Sequence, residues 1–219
     1  MRKIALVDFD DTLLDIKIFK KAYFYYLGIW FPPDVVTKTY KEAKTGGYFN
    51  ADEHCTLLDI FMSSVSGHAG DTRLYLEDWF ECGAAAEFYK KCVFLDVELF
   101  LKTLIHNGYK IHILTLGTEW FQKAKIENSG LTQYISGITV TQDPTKLSAI
   151  PTICNPVEDN VWLFDDFGEV ISAVKEAFPK ITAIQVLRRD EYLDKQSSRA
   201  DAVARNLGEA TGAFLGRPR

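Results

Sequence analysis

The sequence predicts an α/β protein with a parallel sheet, helices on both of its faces, and an all-helical domain inserted after the first strand. From residue 94 onward, apolar runs of strand length alternate with amphipathic runs of helix length, which is typical of parallel strands joined by covering helices. One more apolar run, Ile4 to Val7, precedes a long stretch with helical periodicity alone. We therefore predict a discontinuous sheet domain, residues 1–15 and 93–219, and between its parts a helical domain, residues 16–92, here called the insert.

The insert contains four helical patterns, in which apolar residues recur at the spacing of one helix face. They run from Ile16 to Trp30, from Pro33 to about Lys44, from about Ala51 to Val65, and from Asp71 to about Tyr89. Gly46-Gly47 is expected to end the second helix. Nothing between about Ile16 and Cys92 indicates a strand, so the insert is predicted to be wholly helical.

The second part of the sheet domain alternates between strands and helices. Strands are predicted at residues 110–116, 138–141, 161–164 and 181–187, and helices at 97–107, 120–129, 169–178 and 201–214. The strand at 181–187 is the last one that the sequence predicts. Arg188-Arg189 follows it, and this basic pair fits a solvated strand end as well as a binding site.

Composition argues against several kinds of partner. The formal net charge of −5 disfavours nucleic acid and anionic membrane surfaces. The four cysteines have no Cys-x-x-Cys spacing, which is typical of reduced thiols in a cytosolic protein, and His54-Cys55 lacks a second pair to complete a zinc site. No segment approaches transmembrane length. We expect a cytoplasmic monomer or homodimer that binds neither nucleic acid nor membrane.

Three carboxylates follow the first predicted strand directly. Asp8, Asp10 and Asp11 come in quick succession after Val7. Packing gives no reason to gather like charges at the tip of a buried strand, because they repel each other and lose hydration. Mg²⁺ prefers hard oxygen ligands, among them a small number of carboxylates, so a metal site would explain the run. A polar loop that is merely acidic remains the alternative.

Other reactive side chains follow later strands. Thr115 ends one strand, Asp165-Asp166 end another, and Lys146 comes shortly after the strand that ends at Thr141. We expect them to gather, because the carboxyl ends of parallel strands form one edge of a sheet. Carboxylates suit Mg²⁺, while a hydroxyl and an ammonium suit phosphate oxygens, and phosphoryl transfer needs both sets. Taken singly, the threonine fits strand packing, the lysine a solvated surface and the aspartates a helix cap.

The segment Asp8-Phe9-Asp10-Asp11-Thr12 resembles the D-x-D-x-T signature of the haloacid dehalogenase-like (HAD) superfamily. Thr115, Lys146 and Asp165-Asp166 fall in the order of that superfamily's second, third and fourth motifs, and the insert lies where it carries a helical cap. The resemblance covers nearly the whole chain. It implies a Rossmann-like catalytic domain with a cap domain inserted after the first strand.

The resemblance also implies roles for individual residues. Asp8 is similar to the nucleophile that forms an aspartyl-phosphate. Asp10 is similar to the general acid/base that protonates the leaving oxygen and then activates water. Thr115 and Lys146 would bind the phosphoryl oxygens.

The same resemblance implies a Mg²⁺ site. Its ligands would be Asp8, the backbone carbonyl of Asp10, and one residue of the pair Asp165-Asp166. We favour Asp166 as the direct ligand, with Asp165 supporting it.

The resemblance therefore predicts a Mg²⁺-dependent phosphatase that acts on a small phosphorylated metabolite. Dehalogenating members of the superfamily do not use a second aspartate at the position of Asp10, so its presence favours phosphate-ester hydrolysis. Phe164 replaces the glycine that often precedes the fourth-motif aspartate, which is a variant of the pattern. A phosphotransferase or mutase with the same intermediate is the nearest alternative. A dehalogenase, a receiver-like regulatory domain and a binding protein without turnover are the others.

The sequence leaves the identity of the substrate open. Residues of the insert that face the cleft would set it. Lys44, Tyr48, His54 and Arg73 are candidates, because they are polar and lie near predicted breaks. For each of them, a solvated surface position is the favoured interpretation.

Overall fold

The computed structural model of the chain describes residues 1–45, 48–68 and 70–216. The strands in these ranges are β1 Lys3–Val7, β2 Lys44–Thr45, β3 Tyr48–Phe49, β4 Lys110–Leu116, β5 Gly137–Thr141, β6 Asn160–Asp165, β7 Thr182–Val186 and β8 Ala202–Ala204. Six of them form one parallel sheet in the order β5-β4-β1-β6-β7-β8. The first strand of the chain therefore lies in the middle of the sheet.

Helices cover the sheet and fill the insert. They are α1 Ile16–Leu27, α2 Pro33–Glu42, α3 Ala51–Ser66, α4 Thr72–Glu81, α5 Gly83–Cys92, α6 Val97–His106, α7 Glu119–Asn128, α8 Ile150–Ile153, α9 Gly168–Ala177 and α10 Leu207–Gly216. The first five belong to the insert. Within the described ranges, no helix has both the length and the apolar character needed to cross a membrane.

The residues of β1 alternate between two hydrophobic clusters, because successive side chains of a strand point to opposite faces. Ala5 and Val7 lie in the cluster that contains residues of α6 and α10, whereas Ile4 and Leu6 lie in the cluster of α8 and α9. Burial on both faces explains why β1 is continuously apolar. The predicted fold class, a parallel sheet with helices on both faces, is confirmed.

A short hairpin interrupts the helices of the insert. β2 pairs with β3 in antiparallel register, so the prediction of a wholly helical insert is wrong at this point. Strands of two residues are too short for the alternation by which a sequence indicates a strand. The second helix ends at Glu42, and its predicted stop, Gly46-Gly47, lies outside the described residues.

Two other element boundaries differ from the prediction. The single helix predicted after Asp71 is two helices, because Cys82 between α4 and α5 has an extended backbone (φ −70°, ψ 132°). Residues 202–204 form β8 rather than the start of the last helix, and they pair with β7. Alanine favours a helix in isolation, but pairing at the sheet edge overrides that preference. α10 begins after Asn206, whose side chain accepts a hydrogen bond from the Glu209 backbone N–H (2.9 Å).

The chain leaves the sheet for the insert and returns to it at one place. The backbone N–H of Asp15 donates to the carbonyl of Cys92 (2.7 Å), and that of Phe94 donates to the carbonyl of Leu13 (3.1 Å). Entry and exit are thus tied side by side. The division into two domains at these points stays a prediction.

Arg188, just beyond β7, binds two distant segments of the chain. Its Nε donates to the carbonyl of Thr12 (2.8 Å), its two Nη atoms donate to Asp96 (2.9 and 3.2 Å), and its guanidinium lies 3.8 Å from the centre of the Phe94 ring. The side chain is only 7% exposed. A solvated strand end is therefore the wrong interpretation of this arginine, which fixes the loop that follows β1.

We expect Arg188→Met to lower the free energy of unfolding by about 2 kcal/mol or more, because it removes a buried charge from a partner that stays in place. Arg2→Met is the matched control. Arg2 makes a comparable pair with Asp159 (2.6 Å), but its side chain is 59% exposed, and solvent screens such pairs so that they contribute little to stability. Urea-induced unfolding measures both variants, and equal losses would contradict the structural role of Arg188.

Candidate active site

A tight turn after β1 places Asp8 and Asp10 at the edge of the sheet. The backbone N–H of Asp8 still bonds to the neighbouring strand, at the carbonyl of Phe164 (2.9 Å). The chain then turns through Asp11, whose φ of 57° lies in the left-handed region, and the carbonyl of Phe9 accepts bonds that close the loop. Asp8 is almost fully buried and Asp10 is partly exposed. Both carboxylates line one cleft.

Three carboxylates and one ammonium meet at the tips of β1 and β6. Asp8, Asp165 and Asp166 each place a carboxylate oxygen within 4.8 Å of the other two. Nζ of Lys146 lies 2.6 Å from Oδ1 of Asp8 and 2.7 Å from Oδ2 of Asp165. The other oxygen of Asp165 accepts the backbone N–H of Phe167 (2.9 Å). The carboxylate of Asp166 accepts no hydrogen bond from the described residues, so it is free to bind a ligand.

The charges of this cluster do not balance. Burial raises the pKa of Asp8 to about 7, although the Lys146 ammonium opposes the rise, and the charge of Asp165 adds to it. Burial, with the charges of Asp8 and Asp165, raises the pKa of Asp166 well above its usual value. Three closely spaced carboxylates thus share one ammonium, and their mutual repulsion together with burial disfavours their charged forms unless a cation binds. Oxygen donors with a net negative charge fit a hard divalent cation such as Mg²⁺.

A structured loop presents Lys146 to the carboxylates. Asp143 organises the loop, because its carboxylate accepts the backbone N–H groups of Thr145 (2.9 Å) and Ser148 (3.0 Å). Lys146 itself has a left-handed φ of 60° and is 3% exposed. Burial lowers its pKa, but the carboxylates of Asp165 and Asp8 more than reverse this, and the net pKa is raised. The alternative of a solvated surface lysine is wrong.

Asp10 has its own ion pair, separate from that of Asp8. Nζ of Lys125 lies 2.7 and 2.6 Å from its two carboxylate oxygens. Nε2 of Gln122 donates to Asp10 (3.1 Å), to the hydroxyl of Thr115 (3.1 Å) and to the carbonyl of Leu116 (2.7 Å). Thr115, at the end of β4, is thus tied to Asp10 through one amide. The carboxylate of Asp10 lies apart from the acidic cluster, so its backbone carbonyl remains the predicted metal ligand.

Gln122 and Lys125 were not predicted from the sequence, although a signal for them exists. Both lie on α7 together with Phe121 and Ile126, and all four side chains are buried. Their spacing places the two polar residues on the apolar face of the helix. Lys125 also lies within 6 Å of the rings of Phe9, Phe19 and Phe121. Polar side chains buried on an otherwise apolar helix face point to a functional role.

Asp11 is neutralised by a different residue. Arg189 Nη2 lies 2.6 Å from Asp11 and 2.8 Å from Asp15, and the hydroxyl of Tyr192 donates to Asp11 (3.3 Å). Like Arg188, Arg189 is therefore no solvated strand end. Arg189 and Tyr192 thus hold the carboxylate of Asp11, which lies outside the carboxylate cluster that could bind a metal.

The cleft above these carboxylates is a cavity of about 250 Å³. All six predicted site residues belong to its polar lining, namely Asp8, Asp10, Thr115, Lys146, Asp165 and Asp166. Its other walls are largely aromatic and include Phe19, Tyr23, Tyr40, Tyr48, Phe49, Phe121 and Phe167. Most of these rings come from the insert, so the insert covers the reactive edge of the sheet.

Two of the four candidate specificity residues reach this cleft. Lys44 and Tyr48, from the hairpin, line it. His54 does not, because it is fully buried between the Tyr23 hydroxyl (2.7 Å) and the Thr39 hydroxyl (3.0 Å). Arg73 is half exposed and pairs with a glutamate on its own helix. Arg73 therefore fits the solvated surface position favoured for these candidates, whereas buried His54 fits neither that position nor contact with a substrate.

No family model and no curated protein matches the chain. Solved structures do. A HAD-like hydrolase from Burkholderia xenovorans LB400 has a TM-score of 0.75 at 20% identity, over 98% of each chain. L-2-haloacid dehalogenase from Xanthobacter autotrophicus has a TM-score of 0.59 at 18% identity, over all of both chains. A HAD phosphatase from Thermococcus onnurineus has a TM-score of 0.57 at 19% identity, over 98% of each chain.

The chain has the haloacid dehalogenase-like fold. The resemblance predicted from its motifs is confirmed at this level. The similar structures include a phosphatase and a dehalogenase, so the fold alone does not separate the two reactions.

We expect stability to fall between about pH 6.5 and 4 because of His54. Burial lowers the pKa of His54 to about 4, whereas in an unfolded chain a histidine has a pKa of about 6.5. The unfolded state then binds the proton more readily, so the contribution of neutral His54 is complete above about pH 6.5 and is lost as the pH falls toward 4. Over this range wild type should lose about 3 kcal/mol more than His54→Gln. Urea unfolding at several pH values measures this, and parallel curves would refute it.

Proposed function

We propose that the chain is a Mg²⁺-dependent phosphatase that hydrolyses a small phosphate monoester through an aspartyl-phosphate on Asp8. One observation carries the proposal. Two aspartates, two positions apart, face one cleft but belong to different ion pairs, Asp8 with Lys146 and Asp10 with Lys125. Different surroundings for paired carboxylates suit different roles, a nucleophile and a general acid/base.

The residues present fit a bound Mg²⁺ ion. Asp8, Asp166 and the backbone carbonyl of Asp10 would hold it, and the free carboxylate of Asp166 in the negatively charged cluster supports that assignment. When bound, the cation supplies positive charge beside the phosphoryl oxygens.

The first step is attack by Asp8 on phosphorus. Lys146 holds Oδ1 of Asp8, whereas Oδ2 accepts no hydrogen bond from the described residues and is the nucleophilic atom. A bond forms from Oδ2 to phosphorus as the bond from phosphorus to the ester oxygen breaks, and Asp10 gives its proton to that leaving oxygen. Thr115 and Lys146 bind the phosphoryl oxygens and offset their charge.

The second step regenerates Asp8. A water molecule gives a proton to Asp10 and bonds to phosphorus, while the bond between phosphorus and Asp8 breaks and phosphate leaves. Asp10 is then protonated again for the next substrate. Lys125 and Gln122 orient the Asp10 carboxylate for both transfers, because together they bind both of its oxygens.

Asp10 also favours this reaction over dehalogenation. Displacing a halide needs no proton donor for the leaving group, because halide departs as a stable anion. An alkoxide leaves poorly without a proton. A carboxyl group beside the nucleophile can protonate the leaving oxygen in ester hydrolysis, whereas carbon–halogen cleavage needs no such group.

The test is a screen of phosphate monoesters and 2-haloacids with and without Mg²⁺, comparing wild type with Asp8→Asn. We expect wild type to release phosphate in Mg²⁺ and Asp8→Asn to release none, because an amide is a poor nucleophile toward phosphorus. Full activity in excess chelator, or in Asp8→Asn, would overturn the mechanism. Halide release without phosphate release would identify a dehalogenase. Phosphoryl transfer between substrates without free phosphate would identify a mutase.

Lys125→Met should lower kcat about a hundredfold for an alkyl phosphate, because a misplaced catalytic group costs about that much. Met retains the apolar contacts with the surrounding rings but cannot bind Asp10. The loss should be smaller for an aryl phosphate, whose leaving group departs without a proton. Lys123→Met is the control, since Lys123 lies on the same helix, is 44% exposed and pairs with Glu119. Equal losses for both leaving groups would show that Lys125 does not act through Asp10.

A further inference from the structure

Two lysines of the insert reach the cleft beside the same aromatic ring. Nζ of Lys20, on α1, lies 4.1 Å from the centre of the Tyr40 ring and 5.0 Å from that of Phe24. Nζ of Lys44, in β2, lies 5.4 Å from the centre of the Tyr40 ring. Both lysines line the cavity that contains Asp8. Two ammonium groups thus meet at Tyr40, inside the candidate active site.

The position of Lys20 on α1 is unusual for a lysine. Ile16, Phe19 and Tyr23 form the face of α1 that lines the cleft, and Lys20 lies on that same face. Lys21 is exposed and does not line the cleft. A partly buried lysine ammonium loses hydration, so its place on the apolar face of the helix requires compensation.

The chain does not supply that compensation as a carboxylate. Among the described residues, no Asp or Glu forms an ion pair with Lys20 or Lys44, whereas Lys17 on α1 pairs with Glu191 (2.6 Å). Instead, both ammonium groups lie within cation–π distance of the Tyr40 ring. Burial lowers the pKa of Lys20, and repulsion from Lys44 lowers it further. Two like charges at one cleft wall would be stabilised by an anion between them.

Tyr40 also links these lysines to the reactive end of the cleft. Burial raises the pKa of Tyr40 to about 12, and the charges of Asp10 and Asp11 add to the rise. Tyr40 lines the same cavity as Asp10 and Asp11 of the loop after β1 and as Lys20 and Lys44. The walls between are mainly aromatic, so the middle of the cleft suits an apolar group.

We propose that Lys20 and Lys44 bind a second anionic group of the substrate, which makes the substrate class small phosphate monoesters that carry a carboxylate or a second phosphate. The assignment of the first phosphate to Asp8 and Lys146 rests on the proposed function above. A short apolar body joins the two anionic groups. The cavity of about 250 Å³ limits that body to the size of a small metabolite.

Binding of phosphonates tests this assignment without turnover, because their carbon–phosphorus bond resists hydrolysis. Calorimetry at fixed salt compares alkylphosphonates with ω-carboxyalkylphosphonates and α,ω-bisphosphonates across a range of chain lengths. At the best length, a second anionic group should improve affinity about tenfold or more, as expected for one charge-assisted hydrogen bond. The carboxylate and bisphosphonate series show which kind of anion the lysines prefer.

Lys20→Gln and Lys44→Gln should each remove most of this advantage and leave binding of the plain alkylphosphonate unchanged. Lys44 is exposed, so Lys44→Gln keeps the test decisive even if Lys20→Gln unfolds. Lys21→Gln is the matched control and should retain the advantage.

Equal affinity of the charged and plain phosphonates would overturn the inference, and so would a failure of both to bind. An advantage that survives in both lysine variants would also overturn it. The expected binding pattern without hydrolysis of any phosphate ester would refute the proposed function alone, and the anion site would stand.

Discussion

The ion pairs of Lys146 hold the reactive edge of the sheet together. The lysine lies in the loop after β5. Its ammonium donates to the carbonyl of Leu114 on β4 (3.1 Å), to Asp8 at the end of β1 and to Asp165 on β6. Four neighbouring strands thus share one buried ammonium. Without it, two almost fully buried carboxylates would face each other unpaired, at a cost of several kcal/mol.

The same ammonium is outnumbered, and that imbalance distinguishes the cluster from a structural ion pair. A pair that only stabilises a fold is neutral, but here Asp166 adds a third carboxylate with no partner among the described residues. A buried cluster with more carboxylates than ammonium groups lowers the stability of the fold, and such clusters are typical of ligand-binding sites. A divalent cation on the three carboxylates would offset their formal excess over the one ammonium.

Features that depend on neighbouring residues were predictable from the sequence. The strand tips are local, because an apolar run that ends in Asp8 or in Asp165-Asp166 shows both the strand and its charged end. The partners of those residues are not local. Lys125 meets Asp10 across 115 positions and Arg189 meets Asp11 across 178, so no window of sequence contains either pair. The helix predicted at residues 202–204 was wrong for the same reason, because pairing with the distant strand β7 decides the conformation of this segment.

One helix connects the two ends of the cleft. On α7, Phe121 packs against rings of the insert, including Phe19 (5.9 Å between ring centres) and Tyr23 (5.6 Å). Gln122 and Lys125, on the same buried face, bind Asp10. The insert, which supplies most of the aromatic lining of the cleft, therefore packs on the helix that holds Asp10, the proposed proton-transfer residue. Because close-packed interiors transmit strain, a shift of the insert against α7 would alter the pocket and the position of Asp10 together.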